Sequence, residues 1–173
     1  MAIILVRIDD RLVHGQIVQS WLKTLDVDAV LVISDSAAND KMQQTLMELA
    51  LPNFIRLDVK TLKDAAVSLI NGKYDKENIM VLVTYPSDIV YMIQKGLKIK
   101  SLNIGGMHFI EGKKQLVENI CVNDEDIKNL HQIYLSGIEI ESRVLADDKK
   151  IDVACMLEKE YYAICKEDRG QHE

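Results

Sequence analysis

The stretch "AIILVRIDDRLVHGQIVQSW", residues 2–21, decides how this chain folds. Its opening run, Ala2 to Val6, is apolar throughout and has the length of a buried strand. Further on, Ile17, Val18, Trp21, Leu22 and Leu25 fall at helical spacing, which predicts a helix from about Gly15 to Leu25. Between strand and helix lie Arg7, Asp9, Asp10, Arg11 and His14, followed directly by Gly15. A strand, a loop dense in ionisable groups and a helix make a βα unit.

The same alternation continues outward. "DAVLVIS" leads through "DSAAND" into "KMQQTLMELAL", and "FIRLDV" precedes "TLKDAAVSLING". In the latter, Thr61 with Asp64 has the form of a capping box, and Gly72 has the form of a C-cap. "NIMVLVT" gives way to "YPSDIVYMIQKG", with Pro86 near a helix start and Gly96 just past its end. "SLNI" runs into "GGMHF", and "NICV" into "NDEDIKNLHQIYLSG", capped by Asn123 and Asp126. "IEIESRVL" alternates, and a charged C-terminal portion carries one further helix before a frayed tail over about 165–173. Strands apolar on both faces, alternating with helices, predict a single α/β domain over 1–173. Its core is an open twisted, mostly parallel sheet with helices on both faces.

Composition bounds the function classes. The chain has 173 residues, enough for one well-buried domain and short for two. Its net charge of -6 argues against nucleic acid or an anionic membrane as the main partner. The longest apolar runs are too short for a membrane span, and the N-terminus lacks the pattern of a secretory leader. Cys121, Cys155 and Cys165 lack metal-type spacing and read as reduced thiols in a cytoplasmic protein.

In open α/β sheets ligands bind beyond the carboxyl ends of the strands. Of the strand-to-helix junctions, the loop from Arg7 to Gln16 is by far the richest in chemistry. Gly15 and Gln16 open the helix with unpaired backbone N–H groups and the positive end of its dipole, which suits an anion. Arg11 can offer a bidentate fork to phosphate oxygens, and Gly15 lets a bulky group approach the backbone. An imidazole, with a reference pKa of about 6.5, is substantially neutral near pH 7, and its neutral nitrogen can attack phosphorus. His14 is therefore the candidate nucleophile. Asp9 or Asp10 could hold its other ring N–H. Two other readings stand beside this one. Asp9 and Asp10 could merely cap or pair with Arg7 and Arg11, leaving His14 a solvated residue. Two Asp and one His could also bind a divalent ion in a metal-dependent hydrolase, although two nearby Arg disfavour a cation.

A longer pattern adds to this. "LVRIDDRLVHGQIVQSW" resembles the N-terminal signature of the enzyme IIB component of the mannose/fructose/sorbose family of the bacterial phosphotransferase system (PTS). "LNIGGMHF" at 102–109, Gly112 and Lys113 in "EGKKQL", and the spacing to "VNDEDIKNLHQIYLSGIEIESRVL" fit as well, so the resemblance runs over most of the chain. It implies a cytoplasmic phosphocarrier of the mannose/sorbose-type IIB domain (type 4), in the lone IIB form, with a sheet of about seven strands. Its histidine takes a phosphoryl group, on Nδ1, from a phosphohistidine of EIIA. It then passes the group to a sugar delivered by the membrane subunits EIIC and EIID. The carrier needs no metal or other cofactor. The alternative within the fold is a regulatory or binding paralogue without turnover, against which the intact His14, Arg11 and Asp pair count.

On that resemblance His14 is phosphoryl acceptor and donor, Arg11 stabilises the group in flight, and Asp9 or Asp10 orients the imidazole. Gly15 and Gln16 offer backbone donors. Thr84, at the end of "VLVT", could reach the same crevice, or could belong to the cap before Pro86. Gly105 and Gly106 let a second loop lie close. His108 reads as a wall of the site, His131 as an amphipathic-helix residue, His172 as tail and Trp21 as core. The Cys residues sit in apolar surroundings outside any such loop. Two departures from the family's pattern are Ala146, where Pro is common, and Ser36, where an acidic residue is frequent.

Overall fold

In strands β2 (Ala29–Ile33) and β4 (Asn78–Val83), ten of the apolar side chains are buried, and they divide by position. Val30, Val32, Met80 and Leu82 join one core with Ile17, Trp21 and Met47. Ala29, Leu31, Ile33, Ile79, Val81 and Val83 join a second core with Ala65, Ile89 and Ile127. Successive strand residues point to opposite faces, so a continuous apolar run needs helices on both. A computed structural model, describing residues 2–170, has that arrangement.

The remaining strands are β1 (Ala2–Asp9), β3 (Arg56–Lys60), β5 (Ser101–Gly106), β6 (Lys114–Val117), β7 (Ile120–Val122), β8 (Glu139–Ser142) and β9 (Ile151–Asp152). Seven strands form one sheet in the order β3-β2-β4-β1-β5-β8-β9, parallel throughout except for β9 against β8. β6 and β7 form a separate antiparallel hairpin, of which the apolar pattern marks β7, within "NICV", but not β6.

One face carries a π-helical segment, Ile17–Trp21, that runs into α1 (Leu22–Thr24), followed by α2 (Asp35–Ala38) and α3 (Lys41–Ala50). The other carries α4 (Leu62–Ile70), α5 (Pro86–Gln94), α6 (Asp124–Leu135) and α7 (Ala154–Gly170). The caps lie where the sequence puts them. Thr61 accepts from the Asp64 N–H, Asn123 and Asp126 close a reciprocal box, and Gly72 follows α4 at φ +71°. α7 stays helical through Gly170, so most of the stretch expected to fray is helix; 171–173, with His172, lie outside the described residues. Among the described residues no helix is long and apolar enough to cross a membrane.

Strand order places the site. From β1 the chain passes to β2 on one side, while from β4 it crosses to β5 on the other. β1 and β4 are neighbours, so the connections leave their carboxyl ends in opposite directions and open a crevice there. The loop after β1 lies at that crevice.

Candidate phosphoryl-transfer site

Two apolar side chains pin the loop after β1. Leu12 N–H donates to the Asp9 carbonyl at 3.0 Å, closing a turn that puts Leu12 at φ +56°. For a residue with a Cβ that conformation costs about 1–2 kcal/mol. Leu12 and Val13 are both buried beside Ile17 and Trp21. Full burial of a leucine side chain contributes about 1.5–3 kcal/mol, enough to offset the strain. With Leu12 and Val13 turned inward, Arg11 and His14 are left nearer the surface, their side chains 41% and 15% exposed.

Asp9 is fully buried and works as a hub. Its Oδ2 accepts from Arg7 Nη2 at 2.8 Å and Nε at 3.2 Å, and from His14 Nε2 at 2.9 Å. Its Oδ1 accepts from the Arg11 backbone N–H at 3.2 Å. Burial works to raise this carboxyl's pKa, but the hydrogen bond from His14 and the Arg7 charge outweigh it, and the group is held below its ordinary value. An ionised Asp9 can only accept, so the proton on His14 resides at Nε2 and the lone pair at Nδ1. On that open side the Gln16 N–H points at Nδ1 from 3.3 Å. Arg11 Nη2 donates to Gln16 Oε1 at 2.6 Å, which holds the guanidinium over the helix start. Nothing lies within 4 Å of where a Gly15 Cβ would be, so a bulky group has room there. A nucleophilic nitrogen with a fixed tautomer, a backbone donor and an exposed cation suit transfer of a tetrahedral anion.

The chain matches the family model described as PTS system sorbose subfamily IIB component over residues 3–168. It is 34% identical to the sorbose-specific EIIB component of Klebsiella pneumoniae over 88% of this chain and 93% of that protein. It is 35% identical to the mannose-specific EIIAB component of Escherichia coli (strain K12) over 92% of this chain, which spans 49% of that longer protein. The crystal structure of the IIBSor domain of the Klebsiella pneumoniae sorbose permease superposes with a TM-score of 0.87 at 33% identity, covering 92% of this chain and 98% of that one. The chain belongs to the PTS sorbose-subfamily IIB components. It is an EIIB component of PTS sugar transport, and such components are phosphotransferase domains.

Within this IIB component the two aspartates have separate partners. Asp9 holds His14; Asp10 does not touch it and instead fixes the loop after β5. Asp10 Oδ2 accepts from the His108 backbone N–H at 2.7 Å, and Oδ1 pairs with His108 Nδ1 at 2.6 Å. His108 thereby walls a cleft of about 350 Å³ shared with Arg11, Gln16, Phe109, Gln115 and Cys121. Cys121, expected among apolar neighbours, thus borders the site. The two aspartates and His14 do not converge on one point, and among the described residues no three His, Cys, Asp or Glu side chains are grouped to hold a metal.

Three expectations change. Gly105 and Gly106 end β5 rather than forming a loop. A Cβ on Gly105 would sit 1.7 Å from Arg7 Cζ, so this glycine makes room for a buried guanidinium rather than for phosphate. Gly106 faces the site, with Asp9 Oδ1, His108 Cε1 and Arg11 Nη2 all within 4 Å of its would-be Cβ. Thr84 follows β4 and, like His14 and Gly15, is not among the residues lining that cleft; it precedes Tyr85, whose N–H donates to Asp88 Oδ2 in the cap of α5.

The support behind Asp9 escapes sequence reading. Strand register places Arg7 beside Asn103, and Asn103 beside Glu141. Arg7 Nη1 donates to Asn103 Oδ1 at 2.6 Å and to the Arg143 carbonyl at 2.8 Å, and Asn103 Nδ2 donates to Glu141 at 2.9 Å. Arg7 and Arg143 both lie against Trp21, their Cζ atoms 5.2 and 5.0 Å from the ring centroid, and the indole N–H donates to the Val144 carbonyl at 2.9 Å. The available signal was a polar residue inside each of three strands, Arg7 in β1, Asn103 in β5 and Glu141 in β8, which in a doubly covered sheet must find partners.

Proposed function

We propose that this chain is the phosphocarrier between an EIIA protein and a sugar, a protein-Nπ-phosphohistidine–sugar phosphotransferase acting at the cytoplasmic face of the EIIC and EIID membrane subunits. His14 Nδ1 attacks the phosphorus of an EIIA phosphohistidine, whose ring leaves with the P–N electron pair. Asp9 keeps the proton on Nε2 and offsets the positive charge that the ring gains. Gln16 N–H and Arg11 receive the phosphoryl oxygens, beside Gly15 and the face of Gly106. A sugar hydroxyl then attacks the same phosphorus, and His14 returns to its starting form. Metal and cofactor have no part in these steps.

The observation that carries this reading is the direction of the His14 ring: Nε2 is taken by a buried carboxylate, and Nδ1 faces a backbone donor at the helix start. The test is phosphorylation from labelled phosphoenolpyruvate through the general phosphotransferase proteins and a cognate EIIA. Wild-type chain takes up an acid-labile, base-stable label and His14→Ala takes up none. Label on the variant, or on Cys121, overturns the reading.

A further inference from the structure

The two halves of the proposed cycle differ by a proton. Transfer from one imidazole to another releases none, because each ring keeps its single N–H and only the phosphoryl group moves. Transfer to an alcohol releases one: as the C–O–P bond forms and the P–N bond breaks, His14 regains its lone pair and the hydroxyl proton must go elsewhere. Neither Asp9, already saturated by Arg7, Arg11 and His14, nor Arg11 can take it.

We propose that His108, held by Asp10, accepts the proton of the sugar hydroxyl during the second half-reaction. The proposal rests on the carrier reading above. Asp10 fixes His108 at two points, through the backbone N–H and through Nδ1, so with Nδ1–H donating to the carboxylate the neutral ring has its lone pair at Nε2. The side chain is 58% exposed and borders the cleft that Arg11 and Gln16 also line. His108 Cε1, the atom joining the two ring nitrogens, and Arg11 Nη2 both lie within 4 Å of the position of a Gly106 Cβ. The ring and the guanidinium that is held over the helix start therefore meet at the same face of Gly106. A carboxylate, an imidazole oriented by it and an exposed ring in the cleft shared with Arg11 and Gln16 have the parts of a general base with its positioning residue. The acceptor hydroxyl would touch His108, while Asp10 acts through it.

The experiment separates the half-reactions. Full-length chain is loaded from phospho-EIIA, and single-turnover transfer is followed to fructose, mannose, sorbose or N-acetylgalactosamine in vesicles carrying EIIC and EIID, using whichever sugar the wild type phosphorylates fastest. His108→Gln, whose amide can still donate to Asp10, loads within about twofold of wild type and transfers about 100-fold more slowly. Asp10→Asn shows the same split at smaller size. Added imidazole restores transfer, and transfer alone, to His108→Ala. Loading and transfer falling together mean that the pair only holds the loop, and overturn the proposal. So does transfer at the wild-type rate, or failure of imidazole to rescue. Failure of the wild type to load at His14 is a separate outcome that defeats the carrier reading itself.

Discussion

Asp9 Oδ2 stands 2.9 Å from His14 Nε2, and the same oxygen stands 2.8 Å from Arg7 Nη2. One buried atom thus joins the reactive ring to the charge network beneath the sheet. An amide cannot replace it without loss. With its oxygen in that place, its NH2 faces the Arg11 N–H; with its nitrogen there, it faces the Arg7 donors. Asp9→Asn is expected to slow phosphoryl loading at least 100-fold and, by leaving Arg7 short of its counter-charge, to cost about 3 kcal/mol of stability at pH 7. The carboxyl is held below its ordinary pKa, so its contribution is present above the unfolded value of 3.8 and is lost as pH falls through the lower folded value. Urea midpoints measured against pH should show the gap between wild type and Asp9→Asn closing at the acid end.

The adjacent glycines of β5 are expected to behave oppositely. A Gly105 Cβ meets Arg7 Cζ at 1.7 Å and the backbone cannot yield within a central strand, so Gly105→Ala displaces the guanidinium. Thermal melts should show a loss of at least 3 kcal/mol or failure to fold. The nearest atoms to a Gly106 Cβ are at 3.6 Å, ordinary contact, so Gly106→Ala should melt within about 1 kcal/mol of wild type. Any defect it shows belongs to the site.

Much of this was readable in the residues. The apolar runs of β2 and β4 announced a sheet covered on both faces, and the DDRLVHGQ loop announced its own chemistry at the end of β1. What periodicity does not carry is pairing. Which aspartate holds His14 depends on the turn that puts Leu12 at φ +56°, and the stacking of Arg7, Asn103 and Glu141 depends on register between strands distant in sequence. In the β6–β7 hairpin the apolar run "NICV" marks β7, but β6 is short, half polar and largely exposed, so periodicity shows neither that strand nor its pairing. Gly105 and Gly106 read as part of a second loop because a Gly pair usually marks a turn or loop. Here the missing side chain serves a neighbour.

Arg11 divides charge from geometry. Its side chain is 41% exposed and its link to Asp9 is loose, Nε to Oδ1 at 3.6 Å, so it contributes little to folding. Lysine keeps the charge but loses the planar fork that binds Gln16 Oε1 and could bind two phosphoryl oxygens together. Arg11→Lys should leave the melting temperature within about 2 °C and lower transfer to sugar by about tenfold or more. Equal proportional losses in melting and transfer would make the residue structural.

Ala146 ties the segment after β8 to the first helix through a backbone donor that a proline at this position would lack. Its N–H donates to Ser20 Oγ at 2.8 Å, tying the segment after β8 to the helix that follows His14, while Arg143 Nη1 donates to the Ala146 carbonyl at 3.0 Å. Ser20→Ala leaves that N–H without its partner and should cost about 1 kcal/mol. Ala146→Pro removes the donor instead and leaves the Ser20 hydroxyl to water, so its cost is set by backbone fit, and the stiffer unfolded chain works in its favour. The two changes meet in one contact. Made together they should cost less than the sum of the single effects, by about 0.5–1 kcal/mol in a double-mutant cycle read by urea denaturation. Strict additivity would mean that the bond carries no net energy, and that the contacts of Arg7, Trp21 and Arg143 hold the segment in place.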